Sequence, residues 1–181
     1  MSSFPPEDLR SFLNCCAGEW LTLRSRFAAE VTDRSEGDDE DEGWHRSERG
    51  ELVVTYLPPQ QEEDPGGLAI TPPVPAGAAG PTRHLIFSAG GRFRGGVAAA
   101  DPTATEAWQE GSWLLRPDGS LELTVEAENA VVHERIWFTK PNLRLRSSVE
   151  HRRDGRPGSA SFSSEIRRLA PPSPGRDEAP R

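Results

Sequence analysis

Four side chains late in the chain have the types and spacing to hold an organic anion: Glu134, Arg144, Arg146 and Ser148. They lie within His133-Glu134-Arg135-Ile136-Trp137-Phe138-Thr139-Lys140-Pro141-Asn142-Leu143-Arg144-Leu145-Arg146-Ser147-Ser148. That run reads as two extended segments joined by a Pro-Asn turn. On the second segment Arg144, Arg146 and Ser148 share one parity, and Leu143, Leu145 and Val149 the other. If the sheet closes into a barrel, two guanidiniums and a hydroxyl point inward at an anionic ligand. Alternatively this is an exposed strand face with arginines lying over their neighbours. Glu134 stands ten residues before Arg144, across the turn. A cross-strand ion pair with an arginine is its simplest role.

The elements that must position these groups can be read in order. Pro5-Pro6-Glu7-Asp8 is a helix entry, with prolines tolerated in the first turn and acids facing the dipole. Leu9, Phe12, Leu13 and Cys16 follow helical spacing on one face, and Gly18 supplies the stop. From Trp20 the period changes to that of a strand. Strands are also expected over residues 51–57, from His84 to Phe87, and over 107–115 and 121–126. The last two flank Asp118-Gly119, a strong hairpin signal. Gly90-Gly91 and Gly95-Gly96 suggest turns or close backbone approach. One short helix followed by many short strands argues for an antiparallel barrel or sandwich. No internal repeat is visible.

Composition bounds the reading further. The 181 residues fit one domain over 1–169 with a Pro-rich, disordered tail at 170–181. A hydrophobic fraction of 34%, with 17 prolines and 17 glycines, points to irregular segments diluting an ordinary core. One is an acidic solvated loop at 36–43; another is a Pro/Gly-rich, mobile insertion at 58–81. Net charge is −8, and residues 36–42 alone carry six acids, so no basic surface suits nucleic acid. Adjacent Cys15 and Cys16 are poorly placed to bridge each other. The scattered His45, His84, His133 and His151 lack metal spacing, so no metal is expected. Without a leader-like start or a long apolar run, the chain reads as soluble and cytoplasmic, with no membrane partner.

Three blocks resemble the S-type phycobiliprotein lyases, the CpeS/CpcS family. Glu134-Arg135-Ile136-Trp137-Phe138, two further residues, Pro141-Asn142-Leu143-Arg144-Leu145-Arg146 and Ser147-Ser148-Val149 are similar to that family's signature. Ser159-Ala160-Ser161-Phe162-Ser163-Ser164-Glu165-Ile166-Arg167 is similar to its last strand, and Ala17-Gly18-Glu19-Trp20 followed by Arg24 to its opening motif. Gly18-Glu19-Trp20 also resembles the Gly-x-Trp opening of lipocalins. The blocks lie at both ends of the chain and in order. The chain departs from the family pattern at Phe27-Ala28, where a histidine pair is usual. It departs again at Gly90-Gly91-Arg92-Phe93-Arg94-Gly95-Gly96, where a tryptophan-rich block is usual.

The resemblance implies an all-β fold, a lipocalin-like, fatty-acid-binding-protein-like antiparallel barrel with a short N-terminal helix and a ligand cavity. It implies a lyase that binds a phycobilin, such as phycocyanobilin or phycoerythrobilin, and attaches it by a thioether bond to a cysteine of an apo-phycobiliprotein subunit. The alternative is a non-catalytic bilin carrier or the partner subunit of a heterodimeric lyase; homodimer, heterodimer with a paralogue and monomer all stay open. By the same resemblance Glu134 and Arg144 are the catalytic pair, the carboxylate hydrogen-bonding or protonating pyrrole nitrogens. Arg24, Arg146, Ser148, Trp113 and Trp137 would bind the pigment, the two tryptophans as mixed core and pocket wall. The reactive thiol would belong to the client, and no cofactor is implied beyond the bilin as substrate.

Overall fold

Asp8 opens the one helix among the described residues, α1 (Leu9–Cys16), by accepting hydrogen bonds from the backbone N–H and the hydroxyl of Ser11, both at 2.8 Å. The computed structural model describes residues 4–27, 45–72, 81–97 and 108–169. Among them α1 is followed by ten strands: β1 (Gly18–Phe27), β2 (His45–Leu57), β3 (Gly66–Thr71), β4 (Arg83–Phe87), β5 (Arg92–Val97), β6 (Gln109–Leu115), β7 (Leu121–Glu126), β8 (Ala130–Lys140), β9 (Leu143–Arg152) and β10 (Pro157–Arg167). All neighbours are antiparallel, and the sheet closes as β1-β10-β9-β8-β7-β6-β5-β4-β3-β2, so no edge strand is left open. No described helix is long and apolar enough to cross a membrane.

Helical spacing puts Leu9, Phe12, Leu13 and Cys16 on one face, and all four are buried in one end of the barrel. There Phe12 meets Phe138 edge-on at 5.3 Å, and Trp20, 1% exposed, lies against the same ring. Trp20 Nε1 donates to the carbonyl of Cys16, tying the end of α1 to the first strand. Arg167 donates to the carbonyls of Ala17 and Cys15, which the helix itself leaves unsatisfied. This end is the barrel's floor.

The β6–β7 hairpin turns at Asp118-Gly119, with Gly119 at φ 78°, a conformation open to glycine. The β8–β9 hairpin turns at Pro141-Asn142. The region 58–81 needs a correction, because Gly66–Thr71 within it is the barrel strand β3. Prolines at 58, 59, 72 and 73 bracket that strand without entering it. The acidic run 36–43 and the tail 170–181 lie outside the described residues.

Candidate functional site

Directly opposed residues on antiparallel strands share a face, so register carries inward-facing positions from strand to strand. Arg144 is opposed by Phe138 and Glu165, and Glu165 by Thr22. Arg146 is opposed by Ile136 and Ser163, and Ser163 by Arg24. Ser148 is opposed by Glu134 and Ser161. Buried Phe138 and Ile136 fix these rows as interior. The parity of Arg144, Arg146 and Ser148 therefore points into the barrel.

The arginines then divide by depth. Arg144 Nε donates to Glu165 Oε2 at 2.5 Å, with side chains 6% and 3% exposed. Its guanidinium lies 4.5 Å from the ring centre of Trp20, and Arg167 lies 4.3 Å from that same centre. Arg144 is thus engaged by a carboxylate and an aromatic face at the floor. Arg146, one step further from α1, pairs through Nε with Glu134 Oε1 and keeps 24% of its side-chain surface accessible. Burial pulls the Arg146 guanidinium down, but the charge and hydrogen bond of Glu134 outweigh it and the net shift is upward.

In the same row as Arg146, Arg24 Nη2 donates to Ser161 Oγ at 3.1 Å, while its Nε is buried with no acceptor among the described residues. Burial holds its basicity below the usual arginine value, and Arg26 and Arg146 push the same way. Arg26 itself pairs with Glu48 at 3.5 Å. An orphaned guanidinium N–H beside an accessible lumen is a group prepared for an anion.

Sequence parity also settles the tryptophans. Trp113 faces inward opposite Leu123, with its indole N–H taken by the Ser88 carbonyl at 3.0 Å. It acts as wall without a free donor. Trp137 is corrected: it falls between inward Ile136 and Phe138, so its side chain is on the outer surface. There it packs on Phe162 at 6.3 Å and beneath the Arg135 guanidinium. The period of two that puts Glu134 inside excludes Trp137 from the lumen.

Glu165 and Arg83 are among the inward charges that were not singled out from sequence. Glu165 emerges only through the β9–β10 register, which pairs residues 21 apart. Arg83 shares parity with buried Leu85 and Phe87, a signal present in Arg83-His84-Leu85-Ile86-Phe87 but missed by starting the strand at His84. Burial pushes both thiols up, Cys16 being enclosed by the floor, so neither is a ready thiolate. Among the described residues no group of His, Cys, Asp and Glu could hold a metal.

The enclosed free volume between the floor and Arg146 is about 20 Å³, lined by Phe12, Leu121, Ile136, Arg144 and Arg146 among others. That admits about one water. A larger ligand does not fit that space as it stands.

A family model described as CpeS-like protein matches residues 86–168. "Chromophore lyase CpcS/CpeS 1" of Paulinella chromatophora is 36% identical over 167 residues, covering 92% of this chain and 91% of that one. "Chromophore lyase CpcS/CpeS" of Thermosynechococcus vestitus is 40% identical over 82 residues, 45% of this chain and 44% of that one. Among solved structures, the S-type phycobiliprotein lyase CPES of Guillardia theta superposes with a TM-score of 0.59 at 17% identity. It covers 90% of this chain and 94% of that one, a likeness in fold.

Proposed function

Because this chain belongs to the CpcS/CpeS chromophore lyases, we propose that it takes a free phycobilin into the mouth of the barrel and presents it to a cysteine of an apo-phycobiliprotein subunit. The observation that carries the reading is the near full-length match to the Paulinella chromatophora lyase. The site agrees with it chemically: inward guanidiniums of Arg24 and Arg146 suit the pigment's propionates. Glu134, already bonded to Arg146, is placed to accept from pyrrole N–H groups or to hold a proton beside them.

The reaction is an addition. The client thiol's sulfur bonds to the ethylidene carbon on ring A, the double-bond electrons shift into the ring, and the proton lost by the thiol is taken up there. Nothing leaves and nothing is oxidised, so the enzyme's work is orientation, protonation and shielding of the ethylidene group. Ser148, level with Glu134, adds a hydroxyl to the same wall.

The test is to load the purified protein with phycocyanobilin and, separately, phycoerythrobilin, then add apo-phycobiliprotein β-subunits. Pigment retained on one client cysteine after denaturation, above the spontaneous rate, is the expected result and identifies the preferred bilin. A spectral shift on mixing without transfer would replace the lyase by a carrier or a subunit that needs its paralogue. No spectral change with either pigment would overturn the reading.

A further inference from the structure

Arg83 has a position in the lumen that no ion pair explains. It is the first residue of β4, its parity is that of buried Leu85 and Phe87, and it is opposed by Ile70 and Val97. In the closed order of ten strands, β4 stands five places from β9 in either direction, so Arg83 faces the Arg146 wall across the barrel. Its Nη2 passes over Gly95, 3.8 Å from where a Cβ would stand, an ordinary van der Waals distance. The side chain is thus directed over the bare backbone of β5. The residue is nonetheless exposed, so it borders the mouth rather than the core.

The charges in this lumen do not balance. Arg144 is matched by Glu165, Arg146 by Glu134, and Arg26 by Glu48. Arg24, Arg83 and Arg46, the last opposite Arg26, have no carboxylate within ion-pair distance among the described residues. Arg83 is near enough to Arg146 for the two to repel; burial first and Arg146 second lower its basicity, and the more weakly felt Glu134 carboxylate opposes them. Holding like charges together in a half-enclosed site is unfavourable unless an anion joins them.

We propose that Arg83 is a pigment-binding residue that forms a second carboxylate seat, opposite the one made by Arg24 and Arg146. The lumen is then built for a dicarboxylate, each acid group held by a separate wall. This rests on the bilin reading above and deepens it. Two seats on opposing walls fix the rotation of a long, nearly symmetric pigment about its own axis, which a single cluster would leave free. That rotation decides which end of the tetrapyrrole reaches the client thiol.

The test compares phycocyanobilin with its dimethyl ester, binding to the wild-type chain, Arg83→Gln and Arg83→Lys by absorbance and circular dichroism titration. Thermal melts of each variant check folding. Removing an unbalanced exposed arginine leaves Tm unchanged or raises it. The wild type binds the diacid more tightly than the ester. Arg83→Gln loses about tenfold in diacid affinity, the worth of one charge-assisted pair, and nothing towards the ester. Arg83→Lys recovers part of the loss, because it keeps the charge without the fork. Equal losses towards diacid and ester, or no loss towards the diacid, would overturn the seat while the wild type still bound pigment. Failure of the wild type to bind either form would remove the bilin reading and the seat together.

Discussion

Two carboxylates of one lumen are set for different work by depth alone. Glu165 and Arg144 are sealed at the floor, so Glu165→Gln leaves a buried guanidinium without its counter-charge. The expected loss is about 3–5 kcal/mol in denaturant unfolding, the usual consequence of breaking a buried pair. Glu134 and Arg146 are 15% and 24% exposed, and water reaches them from the mouth. Glu134→Gln keeps shape and hydrogen bonding, so its unfolding loss is roughly 1–2 kcal/mol, while thioether formation on the client falls further than pigment affinity. Equal falls in transfer and affinity would make Glu134 a binding residue only. The period of two in the sequence put Arg144, Arg146 and Ser148 on one face, and the resemblance chose the inward side and added Glu134. The period could not rank them by depth, because Glu165 reaches Arg144 through a register between β9 and β10 that no local pattern encodes. Trp137 shows the converse, since its size and apolar character suggested core or pocket wall and its own parity puts it outside.

The helix is the element that decides whether the barrel has a floor. Eight residues are too few to be stable alone, so α1 holds by packing and by its caps. Phe12, fully buried and edge-on to Phe138, is its anchor; Phe12→Ala is expected to lose about 3–5 kcal/mol by calorimetry or denaturant titration. Asp8→Ala removes the N-cap and loses about 1 kcal/mol. The Ser11 backbone N–H and then its hydroxyl hold the Asp8 carboxyl below its ordinary 3.8. A folded value lower than the unfolded one means the contribution is complete above pH 3.8 and disappears as pH falls through the folded value. The wild type should therefore lose stability relative to Asp8→Asn on acidification below pH 4; parallel pH curves for the two would show that the charge contributes nothing. Apolar spacing and the Pro-Pro-Glu-Asp entry made α1 legible. β3 was hidden because Pro and Gly on both sides of Gly66–Thr71 dominate the composition around it.

At the scale of the whole barrel, free volume and charge together determine where a pigment can sit. Ligand sites for molecules of this size run to roughly 300–1,000 Å³, against about 20 Å³ beneath Arg146. Admitting the pigment to the floor would separate Phe12, Trp20 and Phe138, each worth about 1.5–3 kcal/mol or more of burial. Of the guanidiniums without a carboxylate partner, Arg24 lies in the row of Arg146 and Arg83 borders the mouth. On the function proposed above, the pigment is expected to sit outside the floor and to leave it as it is. Saturation at a hundredfold excess over Kd should stabilise the fold by about 2.7 kcal/mol. In hydrogen exchange, the added protection beyond that global gain should concentrate in the mouth-proximal residues of β1, β4, β8, β9 and β10. Amides of α1 should rise only with the global term. Faster exchange in α1 on adding phycocyanobilin would mean the helix yields to let the pigment through, and the arginines at the mouth would then guide entry instead of forming the seat.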